Sequence, residues 1–143
     1  MGGFEGYECM KFIIGKKLGM TQVFREDGTI VPVTRVQAGP CVITQIKAKD
    51  RDGVDSVQLG FGSQKKFRIH KPQQGHLKDL DNAEGNAVRY MRDFRVNVSS
   101  DQHGLKRGDT FTVKIFVPGD KVQVEGRSKG KGFQGVVKRH GFH

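Results

Sequence analysis

Ile30-Val31-Pro32-Val33-Thr34-Arg35-Val36, then Gly39-Pro40, then Val42-Ile43-Thr44-Gln45-Ile46-Lys47 is the stretch on which the fold turns. β-Branched residues dominate both runs, and such side chains pack well on a pleated surface while losing rotamer freedom in a helix. The alternation in the second run suits a strand with one wet face. Gly39-Pro40 ends the first run, because proline donates no ladder hydrogen bond and glycine turns the chain. Working outward, residues 12–14, 20–24 and 54–61 form similar short runs, separated by Asp27-Gly28 and Asp52-Gly53. Those dipeptides supply the positive φ angles of tight hairpins, so the pattern predicts a β-meander. Residues 94–98, 111–117 and 122–125 read as further strands, the first two separated by the turn-like Lys106-Arg107-Gly108-Asp109. Between residues 72 and 90 the chain is polar, with Leu77 and Leu80 three apart, which suits a short helix or an irregular loop. The expected class is all-β, a barrel over residues 10–126 with an insertion at about 72–92.

Charge separates the end of the chain from the rest. The 143 residues carry 25 Lys and Arg against 15 Asp and Glu, a formal +10. Residues 121–143 hold six of those cations and one of the carboxylates, hence half the net charge. Beyond Glu125 there is no acidic residue, so the segment requires an external anion. No run approaches the ~18 apolar residues of a membrane span, and residues 1–10 lack the basic start and apolar core of a secretory signal. A cytoplasmic protein with no membrane partner is expected. Cys9 and Cys41 form no CxxC pair, which argues against zinc and a disulfide framework. Cys41, followed by Val42 and Ile43, reads as a buried thiol.

Enzymatic readings fail on context. Gly130-Lys131-Gly132-Phe133-Gln134-Gly135 matches GxGxxG, but a dinucleotide site needs a strand before it, a helix after it and an acidic residue roughly twenty positions on. A phosphate loop over residues 126–131 fails too: only three residues separate Gly126 from Gly130, and Gly132 stands where Ser or Thr would bind magnesium. His70, His76, His103, His140 and His143 are scattered; only the last two are close, and Lys138 and Arg139 beside them disfavour a divalent cation. Asp79, Asp81 and Glu84 lie in a polar stretch that reads as a solvated loop. No nucleophile is paired with a base, so no catalytic residue, cofactor or small-molecule substrate is expected.

Binding is the stronger signal. Arg127, Lys129, Lys131, Lys138 and Arg139 supply five cations, while interspersed glycines let the backbone approach phosphates closely. Phe133 and Phe142 offer rings for base stacking. Composition alone fits both a specific RNA-binding arm and a disordered basic tail. A second patch, Lys65-Lys66-Phe67-Arg68-Ile69-His70-Lys71, carries four formal positive charges at the presumed end of a strand and is a further phosphate candidate.

Lys11-Phe12-Ile13-Ile14-Gly15-Lys16-Lys17-Leu18-Gly19-Met20-Thr21-Gln22-Val23-Phe24, followed by Asp27-Gly28, closely resembles the start of the bacterial large-subunit ribosomal protein L-three family. Ile30-Val31-Pro32-Val33-Thr34, Val42-Ile43-Thr44-Gln45, Lys71-Pro72, Gly75-His76 and Phe94-Arg95 look like its later landmarks, in order. Most specific is Gly126-Arg127-Ser128-Lys129-Gly130-Lys131-Gly132-Phe133-Gln134-Gly135-Val136-Val137-Lys138-Arg139, similar to the family's basic arm. The resemblance covers residues 10–143, leaves 1–9 as an N-terminal extension, and makes Met10 a candidate start. It implies a translation-protein type β-barrel with an arm threading 23S-type rRNA towards the peptidyl transferase centre, among other large-subunit proteins. Its implied role is structural and assembly-related. Carried over by motif, the RNA contacts are Arg127, Ser128, Lys129, Gly130, Lys131, Gly132, Phe133, Gln134, Gly135, Lys138 and Arg139, with His140 continuing the path; Lys65, Lys66, Arg68 and Lys71 join them on charge alone. Family members continue past the arm's outgoing leg, so an incomplete barrel is expected within these 143 residues. The alternative is a free-standing RNA-binding module or RNA chaperone with a basic tail.

Overall fold

A computed structural model describes residues 11–78, 80, 87–96 and 105–142. The N-terminal extension, Cys9, Met10, Asp79, Asp81, Glu84, His103, His143 and the end of the strand expected at 94–98 lie outside them. Strands β1 (Gly15–Phe24) and β2 (Ile30–Ala38) form a two-stranded sheet. β3 (Cys41–Lys47), β4 (Ser56–Gln64), β5 (Ala87–Arg95) and β6 (Thr110–Phe111) form a second, ordered β5-β4-β3-β6. Three short α-helices, α1 (Lys49–Asp52), α2 (Lys71–His76) and α3 (Val136–His140), and two 3-10 turns, Lys66–Arg68 and Val113–Ile115, complete the described elements. The all-β expectation holds, and among the described residues the two sheets are open rather than closed into a barrel.

The four-stranded sheet carries the core because both of its faces are covered. Cys41 and Ile43 from β3 and Val57, Leu59 and Phe61 from β4 point to one side, as period-two alternation requires, and bury against Phe111. Full burial of a side chain such as Ile43, Val57 or Leu59 contributes roughly 1.5 to 3 kcal/mol. Val42 and Met91 pack on the opposite side with Ile69, Leu77, Leu80, Ala87 and Val88. The paired leucines of the polar stretch therefore clamp the segment around α2 to the sheet.

One irregularity organises the centre. The β3–β4 register shifts between Ile43 and Gln45, so Thr44 is an extra residue; it is buried, with its methyl near Gly60 on the face of Val88. Its hydroxyl donates to the Gln58 side-chain oxygen at 2.8 Å, which offsets the burial of a polar group. Loop 105–109 closes over this bulge: Ile43 N donates to Asp109 O, Gly108 N to Ile43 O, and the Arg107 guanidinium to the carbonyls of Thr44, His76 and Lys78.

Five sequence expectations are corrected. Residues 12–14 are apolar because they pack on the core, not because they pair: the Ile14 carbonyl accepts from Gly39 N and from the Cys41 thiol, and Phe12 stacks on Phe94 at 4.3 Å. Asp52-Gly53 ends α1 instead of forming a tight hairpin, with Gly53 at φ 75° as a left-handed cap donating to Lys49 O. β5 begins at Ala87, inside the stretch read as helix or loop, because its pairing with β4 outweighs its polar composition. Of residues 111–117 only Phe111 pairs, and residues 113–115 form a 3-10 turn; residues 122–125 form no strand at all. β6 runs antiparallel to β3 with Phe111 opposite Cys41, so a longer β6 would run past the start of β3 at Gly39-Pro40, where proline has no N–H to donate, and Val122-Gln123-Val124-Glu125 has alternation but pairs with no described strand.

Candidate nucleic-acid interface

The arm has a defined root. Asp120 accepts from Val117 N at 3.0 Å and from the Lys11 ammonium at 3.1 Å, closing a turn against the lead-in to β1. Those two donors, the backbone one first, hold the Asp120 carboxyl below the ordinary carboxylate range. After it, residues 121–135 adopt no regular element, and from 121 to 142 every residue is exposed except half-buried Gln134. Arg127, Ser128, Lys129, Lys131, Lys138, Arg139 and His140 are all presented to solvent, and the Phe133 ring is fully exposed.

The glycines of the arm differ in their reasons. Gly132, at φ 67°, occupies a region that L side chains avoid. Gly126, Gly130 and Gly135 have ordinary φ, and a Cβ built on any of them meets nothing within 4 Å. The fold itself thus makes no demand for glycine at those three positions. Gly135 opens α3, an element the sequence reading did not anticipate, whose last turn places Lys138, Arg139 and His140 near its carbonyl end, where positive charge is favoured.

The second patch is built more rigidly. Lys66–Arg68 form a 3-10 turn, Ile69 is plugged into the core, and Gln74 donates its side-chain amide to the carbonyls of Lys66 and Ile69. Gln64 similarly donates to Arg68 O. Lys65, Lys66, Arg68 and Lys71 are consequently exposed on a fixed backbone. Lys65 and Arg68 also line an open cleft of about 440 Å³ together with Ser63, Gln64 and Arg89. Two exposed rings adjoin these cations, with Arg68 at 5.6 Å and Lys65 at 6.0 Å from Phe67, and Arg89 at 5.0 Å from Tyr90.

Among the described residues no three His, Cys, Asp or Glu side chains converge to hold an ion, and no helix is long and apolar enough to cross a membrane. His76 instead contacts the Gln58 side-chain oxygen at 2.9 Å, in a row continued by Asp93 and Lys47. Cys41 is buried as expected, and burial pushes its thiol pKa up.

No family model matches the chain. Curated relatives do. The large ribosomal subunit protein uL3 of Herpetosiphon aurantiacus is 52% identical over 130 residues, which is 91% of this chain and 58% of that protein. The proteins of the same name from Roseiflexus and Carboxydothermus hydrogenoformans are 48% and 47% identical over 90% and 93% of the chain, covering 58% and 61% of their own lengths. The chain belongs to the uL3 family. It spans about three fifths of the length of those uL3 relatives. The stretch of residues 11–24 that carries the uL3 resemblance supplies both the apolar lead-in on the core and β1, and its Lys11 anchors the arm. Arg89, which lines the cleft, and its neighbour Tyr90 escaped the sequence reading because neither belongs to a charge run or a motif; only the strand pairing of β5 with β4 brings Arg89 beside Lys65 and Arg68.

Proposed function

We propose that this uL3-family chain is a non-enzymatic structural constituent of the large ribosomal subunit that binds 23S-type rRNA directly. The arm, residues 127–140, lies along RNA, with Arg127, Lys129, Lys131, Lys138 and Arg139 on phosphates and the backbone at Gly130, Gly132 and Gly135 passing where a side chain would collide. Lys65, Lys66, Arg68 and Lys71 make the second set of phosphate contacts. The assembly is cytoplasmic, its other partners are large-subunit proteins, and its consequence is to support subunit assembly and organisation near the peptidyl transferase centre.

The observation that carries this reading is the pair of facts about the arm. It exposes a run of cations without carboxylates, and it uses glycine at Gly126, Gly130 and Gly135 where the chain supplies neither crowding nor positive φ. A demand for small residues that does not come from the protein comes from what surrounds the arm. The names of the relatives support the same placement.

The test separates a threaded arm from a basic tail. Replacing Gly126, Gly130 and Gly135 together by alanine leaves charge unaltered and meets no obstacle in the chain itself, so weak affinity for arbitrary RNA persists while incorporation into large subunits drops in competition with the wild-type chain. Equal incorporation would overturn threading.

A further inference from the structure

We propose that the cleft at the β4–β5 end is a site for one unpaired nucleotide of an RNA strand, its phosphate held by Lys65, Arg68 and Arg89 and its base stacked on Phe67. The inference rests on the reading that the chain binds RNA, and names what the second basic patch recognises.

Three independent features converge there. The lining of Ser63, Gln64, Lys65, Arg68 and Arg89 contains three cations and no carboxylate, so an anion entering the cleft meets no opposing charge from its walls. Its volume of about 440 Å³ lies within the range of small-ligand clefts. Phe67 is 75% exposed and Tyr90 46% exposed. Exposed rings interleaved with cations are the surface on which single-stranded RNA is bound, because every base has a π-face to stack and a phosphate to neutralise. A duplex offers the phosphate but not the base, since its bases are already stacked.

The backbone fixes this arrangement in advance. Gly62 sits at φ 77° between the Phe61↔Tyr90 and Ser63↔Val88 pairs, and a Cβ there would lie 3.6 Å from Arg89 Cβ and 3.7 Å from Tyr90 Cδ2. Glycine at this position therefore bends β4 where Arg89 and Tyr90 cross it. On the other wall, the hydrogen bonds from Gln64 and Gln74 hold the turn that bears Phe67. The cations over Phe67 stand at 5.6 Å and 6.0 Å, the outer part of the cation–π range, so they can turn to a phosphate and free a ring face.

The experiment titrates the 143-residue chain with two probes, a hexauridine strand and a short blunt-ended RNA duplex. Phe67→Ala is expected to weaken hexauridine binding about tenfold, a loss of about 1.4 kcal/mol and within the range for one stacked base, while duplex binding stays unaltered. Phe67→Trp should restore the strand affinity and Phe67→Leu should not, which separates stacking from apolar contact. Arg68→Gln with Arg89→Gln should weaken hexauridine binding as well. Strand affinity unmoved by Phe67→Ala, equal losses on both probes, or competition by free uridine monophosphate as effective as the strand would each overturn the site. Alanine at Lys129, Lys131, Lys138 and Arg139 lowers affinity for both probes alike. If that variant is without effect while Phe67→Ala discriminates, the arm reading fails and the nucleotide site stands.

Discussion

Val57 and Val124 are the same side chain in opposite circumstances. Val57, in β4, is wholly buried between paired strands, whereas Val124 is 82% exposed in a segment that pairs with nothing. Both belong to alternating runs, Ser56-Val57-Gln58-Leu59 in one case and Val122-Gln123-Val124-Glu125 in the other. What differs is the neighbourhood: β4 has a partner on each side, and the start of the arm has a closing turn behind it and solvent around it. Alternation permits a strand, but an available ladder edge makes one.

Breaking the packed side of this comparison gives the largest effect. Leu59→Ala or Ile43→Ala removes a fully buried side chain from the main core, and a loss of about 2 to 5 kcal/mol in chemical denaturation is expected. A loss under about 1 kcal/mol would place the core elsewhere. Arg107→Ala comes next, since its guanidinium serves three carbonyls on two segments, Thr44 in β3 and His76 and Lys78 at the end of α2; a cost of about 1.5 to 3 kcal/mol follows from losing charge-assisted hydrogen bonds. Amide exchange around Ile43 and Gly108 should quicken in that variant, and unaltered exchange would show that the loop closes without the arginine. Val124→Ala is expected to shift stability by no more than about 0.5 kcal/mol, because the exposed side chain has no packing to lose.

Much of the body was legible because its signals are local. The Asp27-Gly28 turn, the runs at 30–36 and 42–46 and the buried Cys41 thiol each depend on residues close in sequence, and each stands in the structure as read. The errors share a cause. Residues 12–14, 113–117 and 122–125 look strand-like by composition, yet whether such a run pairs depends on a distant edge that composition does not describe. The candidate interface divides the same way: the cations of the arm and of residues 65–71 are contiguous and visible, whereas Arg89 and Tyr90 join them only through the β4–β5 register, and the Lys11–Asp120 ion pair spans most of the chain.

The root of the arm gives a subtler test through its charge. Asp120 titrates below the ordinary carboxylate value because the Val117 amide and Lys11 stabilise its anion. A depressed folded pKa means that this stabilising contact is present above the unfolded carboxylate pKa of about 4 and is lost as pH falls through the folded value. Carboxyl NMR should find the Asp120 midpoint below that of a free aspartate, and Lys11→Ala should raise it part of the way. A midpoint indifferent to Lys11 would leave the Val117 amide as the sole anchor.

The exposed, unpartnered state of the arm is attributed to a polyanion it is shaped to meet, and the salt dependence of binding to a large-subunit rRNA fragment tests that most directly. If five to seven cations reach phosphates, log affinity falls against log salt with a slope of about −4 to −6, and alanine at Lys129, Lys131, Lys138 and Arg139 flattens it by about three. A slope near zero, or one that the four substitutions leave unaltered, would contradict the account.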